Sequence, residues 1–261
     1  MHVVVNAAQS VDGKLATRRR EQLRISGPED FDRVDRIRAA ADAVLVGVGT
    51  VLADDPHLTL TEEDRRVGRL RNGRPGNPAR IVVDSRGRTP TDARILDDAA
   101  TTYLLVGSNV PDDRRAELEA TGATVIAVAE SDGAVGGGAT GESTDATGDD
   151  GEAPNGRVDL AAGLDVLAER GIDRILVEGG GEVIFSLFAA GLVDELSVYV
   201  GSMVIGGRDA PTLADGDGFT DSFPSLTLAG TERLDDGIVL SYDVDSAADR
   251  SDDAPNDASA N

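Results

Sequence analysis

The chain has 261 residues and a net charge of −23, with 40% apolar and only 3% aromatic side chains. That length allows one α/β domain whose core is Val, Leu, Ile and Ala. The lack of cysteine excludes disulfides, thiolate nucleophiles and thiolate metal sites, and with only His2 and His57 no metal site is expected. The acidity argues against nucleic acid as a partner, because phosphate backbones need basic patches. There is no apolar run of roughly 18 residues and no leader-like N-terminus, so a soluble cytoplasmic protein that does not enter membranes is expected.

Residues 3–6 open as a short buried strand, and a polar, arginine-rich loop follows through Arg24. Residues 28–41 read as a helix. Pro28 suits its first position, Glu29 and Asp30 suit its first turn, and Phe31, Val34 and Ile37 share one apolar face. Residues 43–46 form a strand, 47–50 lead into a short helical turn, and 62–78 read as a charged loop. Strands follow at 79–84, 103–106 and 124–128, with a helix at 111–120 before the last of them. Leu160, Leu164 and Leu167 mark an amphipathic helix. A strand at 175–177, a helix at 182–190 and a strand at 195–200 come next. The end reads as a hairpin, 226–233 and 238–244, around Asp235-Asp236-Gly237.

Two segments contain almost no large apolar residue and cannot offset their ordering entropy: an acidic insertion at 131–155 and an acidic tail at 246–261. Both are expected to be disordered appendages of one domain spanning 1–245. Strands alternate with helices up to the final hairpin. This predicts a three-layer α/β/α fold with a mainly parallel, mixed sheet and an antiparallel edge.

Four stretches carry chemistry. In the segment 175–185, a buried strand runs through Glu178 into Gly179, Gly180 and Gly181 and then a helix. Such a turn lets backbone N–H groups approach an anion closely, and Glu178 sits at the strand end where open α/β sheets place ligands. The glycines are equally compatible with a tight turn that only needs positive φ. The segment 47–59 also follows a strand and offers the Thr50 hydroxyl, Asp54 and Leu58. Lys14, after an Asp12-Gly13 turn, is the only lysine in the chain, and its retention hints at a needed point charge. At 83–88, Val83 and Asp84 end a strand before Ser85, Arg86, Gly87 and Arg88, a sensible place for a phosphate monoester. Many carboxylates, arginine retained and lysine almost lost are the composition of a protein from a salt-saturated cytoplasm, where ions screen self-repulsion.

Taken in order, Ser10-Val-Asp-Gly13, Gly49 through Thr59, Ile81 through Ser85, Val177-Glu-Gly-Gly-Gly181, Gly191 through Glu195 and Gly206-Gly207 resemble the riboflavin-biosynthesis reductases. The resemblance covers about residues 2–244 apart from the insertion, and it is nearest to the stand-alone archaeal members. The salt-adapted composition then suggests a haloarchaeal source. One departure is Gly201, where many relatives have proline.

The resemblance implies a dihydrofolate-reductase-like fold, a homodimer and NADPH as hydride donor, with NADH as a weaker possibility. It implies a phosphorylated pyrimidine substrate whose ribosyl group is reduced to ribityl. By the same carry-over, Gly179, Gly180 and Gly181 cradle the pyrophosphate, and Thr50 and Asp54 lie near the nicotinamide. Val83, Ser85 and, as our addition, Arg86 take the 2′-phosphate side. Glu178 and Leu58 contact the substrate, Arg38 is the candidate for its 5′-phosphate, and Asp54 and Glu178 are the catalytic candidates; Lys14, singled out by its retention, is a further substrate-binding candidate. Two other classes compete: another reductase on this fold, including one for the deaminated pyrimidine, and a non-catalytic nucleotide-binding module.

Overall fold

The computed structural model describes residues 1–21, 23–131 and 156–245. The expected insertion, Ser131 apart, and the expected tail lie outside the described residues. In chain order the elements are β1 (His2–Ser10), α1 (Pro28–Ala40), β2 (Ala43–Gly47), α2 (Val48–Asp54), α3 (Glu63–Arg71), β3 (Ala79–Val83) and β4 (Thr102–Gly107). Then come α4 (Asp112–Glu119), β5 (Thr124–Val128), β6 (Glu130–Ser131), β7 (Arg157–Val158), α5 (Leu160–Ala168) and β8 (Arg174–Gly179). The last are α6 (Gly181–Ala189), β9 (Glu195–Gly201), β10 (Leu226–Leu234) and β11 (Gly237–Val244).

Among the described residues, nine strands form one sheet in the order β10-β11-β9-β1-β8-β2-β3-β4-β5. Pairing is parallel from β9 through β5 and antiparallel at β9/β11 and β11/β10, as the alternation of strands and helices requires. Period-2 alternation sends side chains to two cores. Val3, Val5, Leu45, Ile81, Leu105 and Val177 pack on one face with Leu164 of α5 and Ile184 of α6. On the other face, Val44, Val46, Val82 and Leu104 pack with Val51 of α2 and Leu118 of α4, while Val4 and Leu176 pack with Ala41 at the end of α1. Helices on both faces make the three expected layers.

Two expectations change. Residues 62–78 are not all loop, because α3 forms there with few apolar side chains to signal it. Its helix is fixed by arginine. Arg69 donates to the Ala39 and Ala41 carbonyls at the end of α1 (2.9 and 2.6 Å), and Arg65 donates to Asp35 (2.7 Å). The apolar face expected for α1 is not its main buried face either. Its buried residues are Asp30, Arg33 and Asp35, while Phe31 is 51% exposed. Arg33 donates to Asp30 Oδ1, Ser197 Oγ and Asn6 Oδ1, each at 2.8 Å, so a polar network ties α1 to β1 and β9. Such a network is tolerated in a core only because each group has a partner.

Candidate active site

All the parallel strands end at one edge of the sheet, and a cleft of about 2560 Å³ runs along it. This is where open α/β sheets bind ligands. At its centre β2 and β8 lie side by side, and each runs directly into a helix, α2 and α6. Gly180 caps α6 at φ +87°, and a Cβ there would lie 3.3 Å from the Gly47 backbone nitrogen. A Cβ on Gly179 would lie 3.1 Å from Thr50 Oγ1, and one on Gly181 would lie 2.7 Å from the Thr212 carbonyl. Glycine is therefore required for close packing as well as for conformation. The resulting hollow is floored by backbone N–H groups at the positive end of α6, which suits an anion. The Asp215 carboxylate lies against Gly181. Cations that balance a bound phosphate must therefore come from other walls.

Glu178 occupies a bulge. Leu45 pairs with Val177 and Val46 with Gly179, so Glu178 is the extra residue of β8. A bulge re-aims its side chain. The carboxylate turns to Arg38, which donates through Nε to Oε1 and through Nη2 to Oε2, both at 2.6 Å. Burial opposes the Arg38 charge, and the Glu178 carboxylate more than offsets it, raising the guanidinium pKa above its ordinary value. Arg38 also donates to the Thr59 carbonyl (3.2 Å). Glu178 borders the cleft, whereas Arg38 stands behind it. Arg38, expected as a 5′-phosphate clamp, is thus engaged with Glu178 instead.

The other expected residues divide in the same way. Thr50, Asp54, Val83, Ser85, Arg86 and the three glycines all border the cleft. Ser85 is held on two sides: its carbonyl accepts from Gly107 N–H (3.1 Å) and its hydroxyl from Val158 N–H (3.2 Å). Leu58 does not border the cleft. It is 5% exposed, has φ +51°, and is buried in the cluster that includes Val48 and Val51. Lys14 donates to the Ala210 carbonyl (3.2 Å), which fixes the far wall. Beside it, Asp12 accepts from the Ser10 hydroxyl and from Ile205 and Gly206 N–H, and these bonds hold its pKa down at about 2. Gly201 allows the loop to close, since a Cβ there would lie 2.6 Å from the Ile25 carbonyl. A proline has no room in this arrangement.

Sequence reasoning missed that far wall. Arg19, Arg20, Arg24 and Arg208 border the cleft from the loop after β1 and the segment after β9. Arg86, Arg88 and Arg157 border it near the end of β3. β9 and β3 are four strand spacings apart, roughly 19 Å at about 4.8 Å each. Arginines elsewhere, such as Arg65, Arg74 and Arg80, pair with carboxylates. Among the described residues, Arg19, Arg20, Arg88 and Arg208 make no ion pair within 4.0 Å, despite 48 acidic side chains in the chain. Leu23, Phe31 and Leu52 expose apolar surface to the cleft, and the Arg24 guanidinium sits 5.4 Å from the Phe31 ring centre. The Arg-Arg-Arg run at 18–20 was the available signal.

A mainly parallel α/β sheet whose strand ends open on a long cleft, lined by two sets of arginines and a glycine turn, is the architecture of an α/β enzyme with its ligand site at the strand ends. The chain belongs to the RibD C-terminal domain family, whose model matches residues 1–240. It is 39% identical to the 2,5-diamino-6-ribosylamino-4(3H)-pyrimidinone 5′-phosphate reductase of Archaeoglobus fulgidus, over 92% of this chain and 96% of that one. It is 37% identical to the reductase of the same name from Methanothermobacter thermautotrophicus, over 93% of this chain and 98% of that one. Its fold is similar to that of a pyrimidine reductase-like protein from Corynebacterium diphtheriae, with a TM-score of 0.69 at 18% identity, covering 93% and 91% of the two chains. No helix among the described residues is long and apolar enough to cross a membrane.

Proposed function

We propose that this oxidoreductase of riboflavin biosynthesis reduces the ribosyl side chain of 2,5-diamino-6-ribosylamino-4(3H)-pyrimidinone 5′-phosphate to the ribityl form, with NADPH as hydride donor. The observation that carries the reading is the Glu178 bulge beside the Gly179–Gly181 cradle, in a cleft with cations at both ends. The residues fit the dinucleotide. The three glycines carry no side chain into the cradle, Thr50 and Asp54 border the same cleft, and Val83, Ser85 and Arg86 border it at the end of β3, where this reading puts the adenosine.

When bound, a reduced nicotinamide supplies hydride to C1′ of the open-chain imine. The chain's own residues bind and orient. Glu178 accepts hydrogen bonds from substrate amino or hydroxyl groups, and Arg38 holds that carboxylate in one orientation. Leu23, Phe31 and Leu52 offer apolar surface to ring systems. Asp54, or a water beside it, delivers the proton to the imine nitrogen. Arg24 and Arg208 replace Arg38 as the cations for the substrate's phosphate.

The test is NADPH oxidation at molar salt with the diaminopyrimidine and its deaminated, 2-oxo counterpart. Turnover with the diamino compound at the higher kcat/KM is expected. Preference for the 2-oxo compound would reassign the substrate, and NADPH binding without oxidation of either would favour a non-catalytic module.

The finer points belong to the same reading. The protein works in the cytoplasm of a salt-adapted archaeon, as the lysine-poor acidic composition supports. It is a homodimer, supported by exposed Phe223, Leu226, Leu228 and Ile238 on and beside the outer hairpin. One reductase domain spans 1–245, and 132–155 is dispensable. β6 and β7 already pair, Glu130 with Val158 and Ser131 with Arg157. A short Gly/Ser linker in place of 132–155 is expected to leave the melting temperature and turnover nearly unchanged, because loop closure depends only weakly on length. Loss of folding in that variant, followed by circular dichroism, would make the segment structural.

A further inference from the structure

β7 is two residues long, yet its register decides which side chain reaches the cofactor end of the cleft. Successive strand residues point to opposite sides. Val158 is 4% exposed and packs in the main core, so its neighbour Arg157 faces out, and it borders the cleft. The strand is pinned at this register. Val158 N–H donates to Ser85 Oγ (3.2 Å), and Arg157 pairs with Ser131. Next to β7, Asp159 is committed as the cap of α5, accepting from Ala162 N–H (3.1 Å).

The loop that carries Arg86 and Arg88 is equally fixed. The buried Asp84 carboxylate accepts from Thr89 N–H and from the Thr89 hydroxyl, both at 2.7 Å. Arg114 of α4 donates to the Gly87 and Thr89 carbonyls (2.7 and 2.6 Å). Three arginines therefore border one end of the cleft, on two rigid supports that meet at Ser85. All three are exposed to solvent at the cleft, and guanidinium groups on separate supports suit a phosphate, whose oxygens accept several charge-assisted hydrogen bonds.

We propose that Arg157 is a specificity-determining residue for the 2′-phosphate of the dinucleotide, acting with Arg86 across Ser85. The inference rests on the reading of the cleft as an NADPH site. It assigns a ligand contact to the strand that leads out of the acidic insertion, a part of the chain that carries none of the family-like motifs.

The experiment is a fluorescence titration of the full-length protein, at molar salt, with NADPH and with NADH. It is joined by competition with 2′,5′-ADP and 5′-AMP. The wild type, Arg157→Ala, Arg157→Lys and Arg86→Ala are compared. For Arg157→Ala the ratio of NADPH to NADH affinity is expected to fall about tenfold, the size of one charge-assisted hydrogen bond, with 2′,5′-ADP losing more than 5′-AMP. Arg157→Lys restores part of the ratio. Equal losses for both dinucleotides, or none, would overturn the assignment while leaving the cofactor reading intact if Arg86→Ala still shifts the ratio. A wild type that binds neither dinucleotide would remove the cofactor reading and the inference together.

Discussion

Glu178→Gln is expected to lower kcat/KM for the ribosylaminopyrimidine about a hundredfold while NADPH affinity changes little, since a hydrogen bond to a charged group is worth about 1.5–3 kcal/mol. The carboxylate is only 9% exposed and is held at 2.6 Å by both arms of Arg38, so it meets the substrate already oriented. The same pair contributes to stability. Removing one partner of a buried ion pair leaves the other charge uncompensated, at a cost of about 3–5 kcal/mol. Because the Arg38 side chain retains 22% exposure, the low end of that range is expected. The two roles separate in a double variant. Arg38→Leu with Glu178→Leu removes both charges and is expected to recover most of the stability but none of the turnover. Denaturant midpoints read the first quantity and steady-state kinetics the second. Normal turnover by Glu178→Gln would make this residue a structural strand-end acid only.

Lowering salt from 1 M to 50 mM is expected to destabilise the protein severely, with loss of activity at temperatures where it is stable in molar salt. A net charge of −23 repels itself, and the screening length grows from roughly 3 Å to about 14 Å over that range. Lysine-mediated surface pairing cannot compensate, because Lys14 is the only lysine and it is bound to Ala210. The melting temperature is measured as a function of NaCl, with sucrose as the uncharged control. A melting temperature that is the same at both salt concentrations would remove the salt-adapted reading.

The fold was largely legible in the sequence because its strands are buried on both faces and therefore read as short apolar runs, such as Val44 to Val46 and Ile175 to Val177. The hairpin was legible through its Asp-Asp-Gly turn. What escaped was structure built from polar contacts. α3 is held by Arg65 and Arg69, and α1 is held by the Asp30–Arg33–Asn6–Ser197 network, so neither shows the apolar period that a sequence reading seeks. The site divides along the same line. Backbone features announce themselves through glycines, and the turn at Gly179–Gly181 between β8 and α6 lies where it was expected. Side-chain pairings across distant segments do not. Nothing in the sequence shows that Arg38 meets Glu178, 140 positions later, or that Arg157 shares an end of the cleft with Arg86.

The position of β8 also has a consequence for synthesis. It inserts between β1 and β2, and β1 has only β8 and β9 as neighbours. β1 thus finds its first partner in the sheet, Arg174 opposite His2, only after some 170 further residues have been made. Until then β2–β5 can assemble as a four-stranded subsheet with one raw edge at β2, while β1 waits unpaired. Such an order couples the completion of the ligand cleft to the last third of the chain. It makes a truncated or stalled product an exposed sheet edge, open to pairing with other chains, rather than a partly working enzyme.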